Sequence, residues 1–277
     1  MAVDVTFHGV RGSFPCPLPS NRRYGGNTAS VEVRATREPP LLLDLGTGVH
    51  GVAARPGIAL EVTALVTHLH LDHIQGLPFF APLQQAGTML NIYAPAPASA
   101  TLEEAFAELV RPPFFPFTLA DLPATVRLHE VGEASFEVGA ATVLARPVPH
   151  VGPTVGYRVE WEGAVVAYIS DHQQPPGAGA VPAGVRELCQ GADLLIHEAQ
   201  YTDEELRSRA GWGHCTPAHA LRVAAETGVR RLCLFHHDPG RTDEQLDRLA
   251  VAAQRAADPM SPGLEVTVAA EGLTISL

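Results

Sequence analysis

An α/β fold is what this sequence predicts, and three observations carry the prediction. Short apolar runs rich in Val, Ile and Leu recur along the chain and read as strands. Helix-start signals stand between several of them, including capping boxes that pair Thr101 with Glu104 and Thr242 with Gln245. Strand after strand also ends in a histidine or an aspartate, at the edge where α/β proteins place their chemistry.

The chain has 277 residues and is 46% hydrophobic, enough for a substantial core and read here as one domain over 1–277. Gly (25) and Pro (24) are abundant, so turns are many and strands short. The formal net charge is −11, which argues against a non-specific nucleic-acid coat. Thirteen His, and their clustering, favour metal chemistry. Two divalent ions would offset about four negative charges, and would do so locally. Cys16, Cys189, Cys215 and Cys233 form no CxxC pair and read as reduced, buried thiols. The first residues lack the basic and apolar regions of a secretion signal, and no apolar run reaches membrane-spanning length. A soluble, cytoplasmic protein with no membrane partner is expected.

In order, 3–7 is a strand, followed by the glycine-punctuated loop 9–13 and a second turn at Tyr24-Gly25-Gly26-Asn27-Thr28. Residues 29–34 and 41–45 follow as strands of a meander, the last closed by Asp44 and Gly46-Thr47-Gly48. No helix follows either glycine loop at the spacing of a phosphate-binding motif, so tight turns compete with a phosphate cradle there. The run 62–66 is a buried strand leading into Thr67-His68-Leu69-His70-Leu71-Asp72-His73, and 77–85 is expected to begin or continue a helix. A strand at 89–93 and a helix from the Thr101 box to Arg111 precede the rigid aromatic loop 111–117, either a wall over a substrate or a set of apolar plugs. Strands follow at 125–130, 135–138 and 141–148, the last closed by His150. A hairpin, 155–161 with 164–170, ends in Asp171-His172. The Pro/Gly-rich loop 175–184 leads into a short helix near 185–190, then a strand at 193–196 ending in His197-Glu198. Thr216 caps a helix with Pro217 at its first position and an end near Gly228. The strand 231–235 ends in His236-His237-Asp238, a helix runs from the Thr242 box to about 257, and 264–269 and 273–277 close the chain as strands. His68, His150, Asp171, His197 and His236 thus end five strands, which suggests that those ends converge.

The stretch 68–73 holds four potential metal ligands in six residues. His68 and His70 are two apart and can point the same way from an extended turn. Asp72 and His73 are adjacent and turn elsewhere, so one run can serve two neighbouring ions. Imidazole and carboxylate suit zinc, manganese or iron.

The series His68-Leu69-His70-Leu71-Asp72-His73, His150, Asp171, His236 resembles the HxHxDH…H…D…H ligands of the metallo-β-lactamase superfamily over nearly the whole chain. The resemblance implies an αββα sandwich, two mixed β-sheets flanked by helices, with two divalent metal ions, usually Zn2+, at one edge. It puts His68, His70 and His150 on the first ion and Asp72, His73 and His236 on the second, with Asp171 bridging. Mn2+ shares the same ligand types, and spacing alone does not settle whether His236 or His237 is the last ligand; His236, the first residue after the strand, is the choice.

A second set narrows the branch. His197-Glu198-Ala199 and Gly213-His214-Cys215-Thr216 resemble the HEAT and GHST motifs of the tRNase Z and related phosphodiesterase branch, and the loops at 9–13 and 24–28 are similar to its small bacterial members. The resemblance implies that His214 contacts the phosphate and protonates the leaving oxygen and that Glu198 orients it; in a two-metal hydrolysis Asp72 would orient the attacking hydroxide or accept its proton. The helix N-terminus just after His214 favours an anion there. The branch's tRNA-gripping arm has no basic counterpart, since 175–184 carries no Lys or Arg. A small phosphodiester such as a cyclic nucleotide is therefore the expected substrate. An RNA 3′ end and an acyl ester (lactone or thioester) are the rivals, and nucleic acid is disfavoured by the acidic charge. The resembling family makes a homodimer an expectation too. His172 is read as a neighbour of the site or a solvated residue.

Overall fold

The computed structural model describes residues 2–36, 38–52, 59–176 and 180–277. Residues 177–179 of the Pro/Gly-rich loop lie outside that set. The first half of the chain builds one seven-stranded sheet from β1 (Val3–Gly9), β2 (Ser30–Ala35), β3 (Leu41–Leu43), β4 (Glu61–Leu65), β5 (Met89–Ala94) and β6 (Thr125–Glu130). The second sheet holds β7 (Ala134–Val138), β8 (Ala141–Pro147), β9 (Val155–Trp161), β10 (Ala164–Ile169), β11 (Leu194–Glu198), β12 (Arg231–Phe235) and β13 (Glu265–Val268). The last strand, β14 (Thr274–Ser276), returns to the first sheet beside β1. The spatial orders are β14-β1-β2-β3-β4-β5-β6 and β13-β12-β11-β10-β9-β8-β7.

Both sheets are mixed. β1, β2 and β3 pair antiparallel, whereas β3 to β6 pair parallel. β7 to β10 pair antiparallel, whereas β10 to β13 pair parallel. The inner layer joins the sheets through residues such as Val5, Phe7, Val31, Tyr157, Tyr168, Ile196 and Phe235. Helices α3 (Ala183–Cys189), α5 (Pro217–Thr227) and α6 (Asp243–Met260) cover the outer face of the second sheet around Leu188, Leu195, Leu221 and Leu246. On the first sheet α2 (Leu102–Leu109) and the turns near Leu77 and Leu83 do the same. Each sheet is apolar on both faces, so it needs cover on both, and the four-layer αββα sandwich follows.

This topology sets the site. The parallel strands of each sheet end at one edge. In the second sheet β8 runs parallel to β10, because each is antiparallel to β9. The residues that follow β4, β8, β10 and β12 therefore emerge together.

Two elements differ from the sequence expectation. Residues 77–85 are not a helix. Only α1 (Leu71–Ile74) is helical, and Leu77–Phe79 and Ala81–Gln84 are 3-10 turns. Pro78 and Pro82 lack the N–H groups that a helix through this region would use. A helix absent from that expectation, α4 (Asp203–Arg209), carries the same kind of capping box as α2 and α6, here Thr202 with Glu205. Among the described residues no helix is long and apolar enough to cross a membrane.

Candidate metal centre and active site

Seven side chains from four chain segments converge. After β4 the chain leaves the sheet extended through His68 and His70, then turns into α1, which swings Asp72 and His73 to the other side. His70 Nδ1 lies 2.9 Å from His68 Nε2 and 3.3 Å from His150 Nε2. His236 Nε2 lies 3.1 Å from Asp72 Oδ2 and 3.3 Å from His73 Nε2. Asp171 stands between these two triads. Its Oδ1 is 3.1 Å from His73 Nε2 and 3.3 Å from His236 Nε2. Its Oδ2 is 3.9 Å from His68 Nε2 and 3.7 Å from His150 Nε2.

The outer contacts of the rings decide what the inner nitrogens present. His150 Nδ1 donates to the Gly213 carbonyl at 2.7 Å, and His73 Nδ1 donates to Asp44 Oδ2 at 2.8 Å. With Nδ1 engaged outside, both rings present Nε2 to the cluster, and in the neutral form that a metal ion requires each Nε2 carries a lone pair. Without an ion, Asp72, Asp171 and Asp44 outweigh burial and raise His73 well above the usual imidazole range. Asp171 Oδ1 is buried with no hydrogen-bond partner. Converging lone pairs beside an unpartnered buried carboxylate oxygen fit divalent cations, and imidazole with carboxylate is the donor set such ions take. Burial opposes charge on Asp171, yet the facing rings, His236 first and then His73, outweigh it and hold the carboxyl well below its usual range. Burial, reinforced by His73, pushes His68 well below the usual imidazole range and keeps it a neutral donor.

Asp44, which the sequence reading took only as a strand end, anchors this arrangement. It is fully buried. It accepts from Thr67 N (2.7 Å), Thr67 Oγ1, Tyr168 OH (2.7 Å) and His73. Thr67, Ser13 and Gly213 are further contributors that sequence reasoning missed. Ser13 N donates to Asp72 Oδ2 at 2.7 Å. Ser13 (φ 66°), Asp44 (φ 60°) and His236 (φ 56°) all adopt the left-handed region that non-glycine residues avoid. Gly213 (φ 89°) leaves no room for a Cβ, which would stand 2.4 Å from His150 Nδ1.

The glycine loop at 9–13 is not a phosphate cradle. Val10 N and Arg11 N donate to the Asn27 carbonyl, Gly12 N donates to the His237 carbonyl, and Ser13 N is taken by Asp72. Arg11 is buried and ties Gly25 to the turn after His236 through the Gly25, Asp238 and Arg241 carbonyls. His236 is in the cluster, whereas His237 turns away toward the Ala269 carbonyl (2.9 Å).

His214 and Glu198 meet beside the cluster. Glu198 is fully buried, and its Oε1 lies 3.2 Å from His214 Nδ1. The carboxylate also accepts from His172 N (2.6 Å) and Cys215 N (3.1 Å). His214 Nδ1 is 3.5 Å from Asp171 Oδ2. Burial works against the imidazolium, but Glu198, then Asp171 and Asp72, raise the group to about 9.

One expected convergence does not occur. His197 points away from the cluster, where its Nδ1 donates to the Glu198 carbonyl (2.7 Å) and its Nε2 meets His172 Nδ1 (3.2 Å). As the last residues of an edge-to-edge buried strand, His197 and Glu198 face opposite sides, and only Glu198 reaches the site. His172 is buried with it, not solvated. Burial lowers His197 to about 3, and burial with Arg222 lowers His219 to about 4 against the opposing pull of Glu226. His172 and Cys215 also face His197, and neither supplies a negative charge that would offset its burial. The unfolded chain takes up these protons near pH 6.5, and the folded chain refuses them until far lower pH. Stability should therefore fall as pH drops from 6.5 toward 4, by up to about 1.4 kcal/mol per pH unit for each histidine. Urea midpoints at pH 7, 6 and 5 measure this. His219→Gln should flatten the slope, and a slope unchanged in that variant would remove His219 from the account.

A family model described as the beta-lactamase superfamily domain matches residues 50–237. The chain belongs to the metallo-β-lactamase superfamily. It is a metal-dependent hydrolase of that superfamily, whose fold implies divalent metal. A Synechococcus protein named Ribonuclease Z is 27% identical, with 86% of this chain and 88% of that protein covered. Among solved structures, the metallo-beta-lactamase fold protein YhfI from Bacillus subtilis superposes with a TM-score of 0.72 at 20% identity, over 100% of this chain and 99% of that one. The short form of human tRNase Z superposes with a TM-score of 0.69 at 24% identity, over 98% of each chain. Both superpositions show the shared fold.

Proposed function

We propose that residues 1–277 act as one domain that hydrolyses phosphodiesters with two divalent ions. His68, His70 and His150 would hold one ion and Asp72, His73 and His236 the other, with Asp171 as the ligand the two would share. Zinc is the proposed ion, with manganese the alternative for the same donors. Bound ions would supply Lewis acidity and bring the pKa of water toward neutrality. The chain's own part is to place the charges. Asp72, accepting from Ser13 N, is set to orient the attacking water. Glu198 fixes the His214 ring through Nδ1 and leaves Nε2 to pass a proton to the departing oxygen. Four free, buried cysteines fit a reducing, cytoplasmic setting.

The observation that carries this reading is the buried Glu198–His214 pair set against Asp171. Acyl hydrolysis on the same ligands has no need of it. A small phosphodiester such as a cyclic nucleotide is the proposed substrate, in keeping with the net charge of −11. RNA 3′-end processing is the second reading, favoured by the relative named Ribonuclease Z. The metal-loaded protein should be assayed on cyclic mononucleotides, dinucleotides, a pre-tRNA, a thioester and nitrocefin, with metal content measured on the same sample. Turnover confined to the thioester or nitrocefin would overturn the phosphodiester reading.

Asp44→Asn tests the support beneath the ligands. The amide can still accept from Thr67, but it no longer fixes the His73 tautomer as a carboxylate does. Metal affinity is expected to drop about 10–100-fold, read by competition with a chromogenic chelator.

A further inference from the structure

A ladder of aromatic and cationic groups leads from His214 to the surface, and the hydrolytic reading does not use it. The Tyr201 ring meets the His214 ring edge-on, with centroids 5.4 Å apart. The Arg209 guanidinium lies over the other rungs, 5.0 Å from the Tyr201 centroid and 5.7 Å from that of Trp212. Trp212 is 63% exposed, although it is one of only two tryptophans in the chain. Its backbone is fixed. Trp212 N donates to the Arg209 carbonyl, and the next residue, Gly213, holds the His150 ring. Helix α4, which carries Arg209, is itself pinned, because Glu205 pairs with Arg241 at 2.7 Å and Arg241 also donates to the Gln200 carbonyl.

Two features of this ladder point to a ligand. An exposed indole fixed beside a metal cluster offers a flat apolar face to an aromatic ring. Among the described residues Arg209 has no carboxylate partner, whereas Arg186, Arg222, Arg230 and Arg241 do. In a chain of net charge −11, a stacked guanidinium without a carboxylate is a cation left for an anion from outside. Phe14 and Val151, next in sequence to Ser13 and His150, are exposed apolar side chains as well.

We propose that Arg209 and Trp212, backed by the buried Tyr201 ring, form a nucleotide subsite beside His214, with a base stacked on Trp212 and a phosphate paired with Arg209. The proposal rests on the phosphodiester reading and narrows it. Arg209 stands one aromatic ring away from His214, so the phosphate it meets is the neighbour of the scissile one. Within the proposed class of small phosphodiesters, the subsite favours a nucleotide that carries a second phosphate beside the scissile one.

The test compares two substrates and adds one binding measurement on the metal-loaded full chain. The substrates are a dinucleotide bearing a 5′-phosphate and methyl p-nitrophenyl phosphate, which has no base. Arg209→Ala and Trp212→Ala should each lower the ratio of kcat/KM for the dinucleotide over the base-free ester by about tenfold, mainly through KM, and Trp212→Phe should restore most of it. AMP should quench tryptophan fluorescence, because Trp161 is buried and Trp212 is not, and Arg209→Ala should weaken that titration. An unchanged ratio, or no quenching by AMP, overturns the subsite. Quenching by AMP with no hydrolysis of either ester overturns the phosphodiester reading and leaves the subsite standing.

Discussion

Asp171→Asn is expected to empty the cluster of metal and to cut hydrolysis by about a thousandfold or more. The size follows from its position. One oxygen faces His73 and His236, and the other faces His68, His150 and His214. Among the described residues it is the carboxylate that stands between the two triads. Asparagine keeps the shape but gives up the negative charge, and its amide nitrogen would turn a donor toward ring nitrogens that need a cation or a proton. The flanking rings are buried, so water cannot make good the loss. Metal content by mass spectrometry and hydrolysis of a phosphodiester should fall together, while circular dichroism stays native. Two ions retained with full occupancy in Asp171→Asn would sink the bridging role.

The strand ends explain how much of this site could be read without coordinates. His68, His70, His150, Asp171 and His236 stand at ends of apolar runs, and parallel strands must end at one edge, so their convergence follows from pattern and topology alone. His197 stands at such an end too, yet it faces the other side, because side chains alternate along a strand and the pattern does not say which of two adjacent polar residues is turned inward. Asp44 was visible only as the close of a short apolar run. Its role depends on a left-handed backbone and on Tyr168, more than a hundred residues away, which no local signal encodes. The same holds for Ser13, whose amide reaches Asp72 only because Arg11 ties the loop to the turn after His236. The Thr202–Glu205 box, by contrast, was a local signal of α4 and gave full warning of the helix that carries Arg209. The residues 77–85 went the other way. Their apolar spacing suits a helix, but Pro78 and Pro82 decide the backbone first.

His214→Ala is expected to separate metal binding from proton transfer. His214 touches Asp171 as well as Glu198, and Asp171, His214 and His236 together bring ligand atoms close enough to hold an ion. An acid and a ligand at this position differ in what the substitution removes. If the ring delivers a proton, its loss matters in proportion to how badly the leaving oxygen needs one. A ribose alkoxide is a poor leaving group and should depart about 10²–10⁴-fold more slowly. A p-nitrophenolate leaves without protonation, so the same variant should lose little on a p-nitrophenyl ester of the same phosphate. Metal content should stay at the wild-type level. Glu198→Gln should follow the same leaving-group dependence with a smaller loss, because the amide still accepts from Cys215 N but holds the His214 ring more weakly. A ligand role predicts the opposite pattern: equal losses on both esters, in step with lost metal. Measuring both esters and the bound metal in one set of samples decides between them, since only proton delivery makes the loss depend on the leaving group.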